Sequence, residues 1–137
     1  MRIAVLIISL VIAAGCNSPK KISAKPRGTD GVWIPVSQEL GGTALPASTY
    51  KNYTLVLADS VYTYGGAQID QGVIVYKAGR MDIYGRQGVN AGKHFTAIYK
   101  LENGLLTVCY NLAGTGYPEG FQTTGQRTYF LSVFKKQ

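Results

Sequence analysis

Few side chains in this 137-residue chain carry reactive chemistry, and their spacing argues against an enzyme before any fold is considered. His94 is the only histidine. A catalytic zinc site needs three protein ligands, usually with histidine among them, and a nucleophilic relay needs a histidine set between a nucleophile and an acid. No serine sits in a Gly-x-Ser-x-Gly elbow. Gly88-Val89-Asn90-Ala91-Gly92-Lys93 has the glycines and lysine of a phosphate-cradling loop, but with three rather than four residues between its glycines. No Ser or Thr follows the lysine and no helix opens after it, so it reads as a turn. Gly114-x-Gly116 lacks the strand-then-helix context of a dinucleotide site. Cys109, flanked by Thr107-Val108 and Tyr110, has no cationic neighbourhood to activate its thiol and is expected to pack as a small hydrophobe. No catalytic residue, metal ligand or cofactor is expected.

Cys16 is different, because of what precedes it. Arg2 gives a basic start, Ile3 to Ala14 is apolar except for Ser9, and Ala13-Ala14-Gly15 places small residues directly before the thiol. The apolar run fits the ~7–15 residues of a secretory signal and falls short of the ~20 that span a bilayer. The pattern resembles the lipobox of bacterial lipoproteins, whose cysteine accepts a diacylglyceryl group. Residues 1–15 are therefore expected to be a signal peptide and Cys16 the lipidated first residue. Two or three acyl chains would hold the protein on a membrane essentially permanently, where one would not. Asn17 is not the aspartate that retains enterobacterial lipoproteins at the inner membrane. The expected location is thus the bacterial cell envelope, on the periplasmic face of the outer membrane where the host has two membranes.

The net charge of +7 suggests nucleic acid until it is mapped along the chain. Arg2 leaves with the signal, Lys20, Lys21, Lys25 and Arg27 fall in a Pro- and Ser-containing stretch, and Lys135 and Lys136 end the chain. Between Gly28 and Phe134 the bases Lys51, Lys77, Arg80, Arg86, Lys93, Lys100 and Arg127 are matched by Asp30, Glu39, Asp59, Asp70, Asp82, Glu102 and Glu119. A neutral body excludes nucleic acid as the expected partner. Residues 16–30 read as a flexible basic tether with too little apolar content to bury, whose lysines either lie on anionic headgroups or keep a linker soluble.

From Gly31 the composition changes to short runs rich in Val, Ile, Tyr, Phe and Thr, broken every eight to twelve residues by turn formers, which is the spacing of an antiparallel all-β domain. Eight strands are expected: Val32–Gln38, Tyr53–Ala58, Ser60–Tyr64, Gly72–Lys77, Arg80–Tyr84, Phe95–Leu101, Leu105–Asn111 and Thr128–Lys135. Ala58-Asp59-Ser60, Ala78-Gly79 and Glu102-Asn103-Gly104 read as hairpin turns, and Pro46–Lys51 as a helical turn. Sequence neighbours should then be neighbours in space. Closing such a sheet into a barrel removes its edges; a two-sheet sandwich is the alternative. The domain expected over residues 31–137 is an eight-stranded antiparallel up-and-down barrel. The first strand is awkward in either case, because Val32, Ile34 and Val36 are apolar alongside Trp33.

Alternate residues of a barrel strand face inward. The pattern puts Leu55, Leu57, Tyr62, Ile74, Tyr76, Met81 and Ile83 on one inner surface with Tyr99, Leu101, Leu106, Val108 and Tyr110. A barrel of this size is either filled by its own side chains or holds one small ligand, and its many large aromatics favour filling. If a ligand enters, Tyr62, Ile74, Tyr76, Tyr99, Leu101, Leu106, Val108 and Tyr110 are the expected contacts. The loops Gly85–His94 and Leu112–Arg127 would form the rim.

Gly31-Val32-Trp33 resembles the Gly-x-Trp opening of lipocalins. The succession that follows is similar to a lipocalin-like domain family of planctomycetes and related bacteria: Glu39-Leu40-Gly41-Gly42, Met81-Asp82-Ile83, Gly88-x-Asn90-x-Gly92-Lys93, Ala97-Ile98-Tyr99, Leu106-Thr107-Val108-Cys109-Tyr110 and Tyr117-Pro118-x-x-Phe121. That family usually has Arg where Tyr117 stands. The resemblance implies a barrel, with Gly31, Trp33 and Arg127 as its structural signature and the Arg127 guanidinium stacked on Trp33; it implies no activity. Two functions follow as expectations. One is a lipid-anchored barrel binding a small apolar or amphipathic ligand. The other is a filled barrel serving as a structural or interaction module for an envelope protein partner, through exposed aromatics such as Tyr117 and Phe121.

Overall fold

The computed structural model describes Pro26 and residues 28–137; the expected signal peptide, Cys16 and the rest of the tether lie outside the described residues. Nine strands follow in order: β1 (Gly31–Leu40), β2 (Thr43–Ala44), β3 (Thr54–Ala58), β4 (Val61–Gly65), β5 (Ile69–Lys77), β6 (Arg80–Gln87), β7 (His94–Glu102), β8 (Leu105–Asn111) and β9 (Tyr129–Lys136). They form one sheet in the order β2-β1-β3-β4-β5-β6-β7-β8-β9, and β1 pairs with β9 as well. That last pairing closes eight strands into an antiparallel up-and-down barrel and excludes the sandwich. The extra strand, β2, pairs only with the end of β1, Glu39 opposite Ala44 and Leu40 opposite Thr43.

All eight expected strands are present, with ends shifted by a few residues. The three expected hairpin turns join β3 to β4, β5 to β6 and β7 to β8, with Ala58 opposite Val61, Lys77 opposite Arg80 and Glu102 opposite Leu105. Asp59 and Asn103 take positive φ there, 56° and 52°, which short polar side chains tolerate better than others do. The helical turn near Pro46 is a 3-10 turn, Ala47–Thr49.

A bulge resolves the parity of β1. Its register with β9 shifts between Pro35, opposite Phe134, and Ser37, opposite Val133. One extra residue reverses which side chains face inward. Trp33 and Pro35 point in before the shift, Gln38 and Leu40 after it, and Val36 at the bulge is exposed.

Trp33 plugs one pole. It is 1% exposed, and its Nε1–H donates to the Thr29 carbonyl at 2.8 Å. Gly28–Asp30, assigned to the tether on composition, crosses this pole as part of the body. Thr29 is fully buried, Gly28 lies against Leu101, and Asp30 Oδ1 accepts the Asp59 N–H at 2.9 Å.

The cation over Trp33 is Lys136, with Nζ 5.3 Å from the ring centre. The expected Arg127 stack is not formed, for a topological reason. β9 runs antiparallel to β1, so Trp33 faces Lys136 while Leu40 faces Phe130. Arg127 precedes β9 and lies exposed beside Gly41 at the other pole, a barrel length from the tryptophan.

The long Leu112–Thr128 connection lies over the outer wall. Asn111 Nδ2 donates to the Thr115 carbonyl at 2.8 Å, the Thr96 hydroxyl donates to the Gly116 carbonyl, and the Thr128 hydroxyl donates to Asn111 Oδ1 at 3.0 Å. Cys109 shares this outward face and is completely buried. Burial, with the nearby Glu39 charge adding to it, pushes its thiol up to about 11.

A barrel cavity as the candidate functional site

The interior is filled at the Trp33 pole and open at the other. A cavity of about 600 Å³ enters from the open pole, within the ~300–1,000 Å³ range of small-molecule sites. One wall is Leu55 and Leu57 from β3, Ile74 from β5, and Met81 and Ile83 from β6; the facing wall is Phe95, Leu106, Val108, Tyr110, Phe130 and Phe134 from β7 to β9. Of the two interiors left open by the sequence, filled or ligand-sized, each describes one part of the barrel: side chains fill the Trp33 pole and the cavity occupies the rest.

Of the eight expected contacts, Tyr62, Ile74, Leu106, Val108 and Tyr110 line the cavity. Tyr76, Tyr99 and Leu101 do not, because strand direction carries them toward the closed pole. There Tyr76 meets Tyr99 edge-on at 5.9 Å, and Leu101 sits at the surface against Gly28. The loop between β6 and β7 supplies rim residues as expected, through Asn90 and Lys93, whereas the Leu112–Arg127 loop contributes only Leu112.

The polar mouth is built on Gly72. Tyr62 on β4 lies opposite Gly72 on β5, and a Cβ at Gly72 would stand 2.7 Å from the Tyr62 Cε1 and 2.1 Å from the Tyr84 carbonyl oxygen. The missing side chain lets the Tyr62 ring lie across β5. Its hydroxyl then donates to Asp70 Oδ2 at 3.3 Å. The β6–β7 loop reaches the same carboxylate. Gly88, at φ 85°, passes so close to β5 that a Cβ would sit 2.4 Å from the Ile69 carbonyl oxygen. Asn90 Nδ2 thereby donates to Asp70 Oδ2 at 2.7 Å. Asp70 Oδ1 is buried and has no hydrogen-bond partner among the described residues.

Across the mouth, Gln38 Nε2 donates to the Tyr64 hydroxyl at 3.0 Å and to Ser132 Oγ at 3.2 Å, and Tyr64 stacks on Tyr53 at 5.4 Å. Burial raises the phenols of Tyr62, Tyr64 and Tyr110, with the Asp70 charge adding to the effect at Tyr62, which reaches about 12. These hydroxyls are therefore neutral hydrogen-bonding groups. Exposed Leu40 and Leu112 line the opening, and exposed Ile69 and Val89 line an adjoining groove that shares Gln38, Asp70 and Asn90 with it.

A second polar cluster lies on the outer wall. Asp82 receives Lys77 Nζ at 2.7 Å, the Tyr117 hydroxyl at 2.6 Å and His94 Nε2 at 2.9 Å. Burial alone would raise the Asp82 carboxyl, but hydrogen bonds from Lys77, Tyr117 and His94 outweigh it and hold the group at about 2. His94 stacks on Tyr84 at 4.6 Å. Tyr117 lies beneath Arg80 at 4.8 Å, and Phe121 beneath Lys100 at 4.8 Å, so both aromatics are half-covered by cations rather than free. The cluster pins the Leu112–Thr128 connection and shares no residue with the lining of the barrel cavity. Among the described residues, no three His, Cys, Asp or Glu side chains group to hold a metal ion.

Gln38, Asp70 and Asn90 were not legible as site residues: Gln38 is turned inward by the bulge, Asp70 precedes the expected start of its strand, and Asn90 sits in a loop. Comparison with protein-family models, curated proteins and solved structures found no match to this chain.

Proposed function

We propose that this protein is a lipid-anchored lipoprotein of the bacterial cell envelope whose lipocalin-like barrel binds one small apolar or amphipathic ligand without transforming it. The cavity carries the reading: a blind, apolar chamber of about 600 Å³ with polar side chains gathered only at its mouth. Apolar walls supply affinity by removing ligand surface from water, at roughly 25 cal/mol per Å², and a few fixed polar groups set orientation. The anchor rests on Cys16 and the apolar segment before it. The envelope placement and the periplasmic face of the outer membrane follow from that anchor and from Asn17.

Among the described residues, every strand pairing and the hydrophobic core fall between Gly31 and Lys136, so a soluble chain starting at residue 18 keeps the barrel. Native mass spectrometry of that chain, purified from its own host, is expected to show a one-to-one small-molecule adduct lost on denaturation. A bare mass, together with exclusion of an apolar fluorescent reporter, would end the ligand-binding reading. Mass spectrometry of the membrane-derived protein should find acyl chains on Cys16, and a Cys16→Ala chain should leave the membrane fraction.

A further inference from the structure

We infer that the Tyr110 hydroxyl orients the ligand, and that the cavity takes an uncharged carbonyl compound: an apolar ester or ketone whose C=O oxygen accepts the Tyr110 O–H. The inference rests on the ligand-binding reading and adds the polar group of the ligand.

Tyr110 is the penultimate residue of β8, opposite Ala97 on β7 and Phe130 on β9. It shares the inward parity of Leu106 and Val108, and all three line the cavity. Three phenols line that chamber, Tyr62, Tyr64 and Tyr110. Two are already engaged, Tyr62 with Asp70 and Tyr64 with Gln38. The Tyr110 hydroxyl makes no hydrogen bond among the described residues, and its oxygen is not closed off from open space. The residue is half-buried although its phenol lies deep in the protein, so the surface it keeps is the surface of the cavity. The strand order puts β4 four places from β8 in either direction round the barrel, and the phenols of Tyr64 and Tyr62 on β4 act electrostatically on that of Tyr110. The ring therefore points across the lumen, with its hydroxyl unused.

The surroundings choose the acceptor. A phenol donates better than it accepts, because its oxygen shares a lone pair with the ring. A protonated amine has no lone pair to receive that proton. Burial raises the Tyr110 phenol, and the neighbouring phenols add to the effect; an environment that keeps this oxygen protonated equally opposes a carboxylate beside it. An uncharged carbonyl accepts the hydrogen bond and brings no charge into the apolar chamber. Lys93 is the competing determinant, since it lines the mouth and would favour an anion. It is exposed, and a solvated ion pair there adds little. Deeper in the chamber, Leu106, Val108 and Phe134 give the hydrocarbon part of the ligand apolar walls.

The test displaces N-phenyl-1-naphthylamine from the soluble chain with two probes that differ in one group, valerophenone with a C=O and pentylbenzene with a CH2, and with 5-phenylpentanoate as the anion. Tyr110→Phe removes only the hydroxyl. It is expected to weaken valerophenone about three- to tenfold, the increment of one neutral hydrogen bond, while pentylbenzene keeps its affinity. On the unaltered chain the infrared carbonyl band of bound valerophenone should lie below its position in hexane, a readout that stands even if the variant folds poorly. Equal effects of the substitution on the ketone and the hydrocarbon, or a carbonyl band at its hexane position, would overturn the role of Tyr110 and leave the ligand-binding reading intact. Tighter binding of 5-phenylpentanoate than of valerophenone would overturn the uncharged class in favour of Lys93. Failure of the reporter and of all three probes to enter would remove the ligand-binding reading as well.

Discussion

The Tyr62 ring crosses β5 directly over Gly72, where a side chain of any size would collide with it and with the Tyr84 carbonyl. Relief at the carbonyl requires backbone movement. Gly72→Ala is therefore expected to destabilise the barrel by about 1–3 kcal/mol and to weaken reporter binding, because the displaced ring no longer reaches Asp70. Urea denaturation and reporter titration of the same variant check both effects; an unchanged midpoint would show that the strand yields freely.

The cavity can be filled from within. Val108 is almost fully buried and faces open space, so Val108→Phe adds volume without forcing neighbours off their rotamers. Its stability is expected to stay within about 1.5 kcal/mol of the parent while reporter uptake falls sharply. A large loss of stability would mean that the chamber is tighter than its volume indicates.

At the closed pole, Lys136→Ala should cost about 0.5–1 kcal/mol through the lost cation–π contact with Trp33. Arg127→Ala, an exposed change in a loop, should stay within about 0.5 kcal/mol. Thermal unfolding of the two variants side by side separates them, and the reverse order would restore the arginine to the tryptophan.

The outer-wall cluster makes stability fall in acid. Asp82 is held at about 2 in the folded barrel, against ~3.9 in an unfolded chain. The unfolded state binds the proton first as pH drops, so the stabilisation is complete above about pH 4 and is lost as pH falls through about 2. Lys77 is half exposed, and solvent screening holds the contribution to about 1 kcal/mol. Asp82→Asn should lower stability at neutral pH and flatten its fall between pH 4 and 2, as read by urea midpoints.

Alkali acts in the opposite direction. Burial raises both Tyr62 and Tyr76 to about 12, with neighbouring charge adding at each, against ~10 in an unfolded chain. Their contribution is complete below about pH 10 and lost as pH rises through about 12. Tyrosinate absorbance should rise in two stages, the later one coinciding with loss of the β-sheet dichroism. A single rise near pH 10 with the sheet intact would contradict the burial.

Local signals carried the barrel. Asn103-Gly104 and Ala78-Gly79 are turn formers between β-rich runs, and such runs pair with their neighbours whatever the interior holds, so the eight barrel strands and their order were legible from residue 31 onward, though the two-residue β2 was not. The mouth was not. A single bulged residue at Val36 turns Gln38 inward and Glu39 outward, and nothing in Val32-Trp33-Ile34-Pro35-Val36 announces it. Asp70 was missed because Ile69-Asp70-Gln71 looks like loop until β4 pairs with it. Arg127 was misplaced because its sequence position beside the last strand says nothing of which end of an antiparallel strand meets Trp33. Whether the interior is full depends on how far each tyrosine lies along the barrel axis, a coordinate that alternation of faces does not contain.

Both ends of the described body meet at the plugged pole: Lys136 Nζ reaches the Gly28 carbonyl at 3.4 Å, and the Gln137 N–H donates to the Val32 carbonyl at 2.9 Å. The barrel thus hangs like a bell with its handle on one side and its opening on the other. A support fastened to the amino-terminal side, such as a sensor chip in the laboratory, joins the barrel at the handle, the pole away from the opening. Ligand exchange would then take place on the far side from the attachment, and a surface-immobilised barrel should bind from solution as readily as a free one.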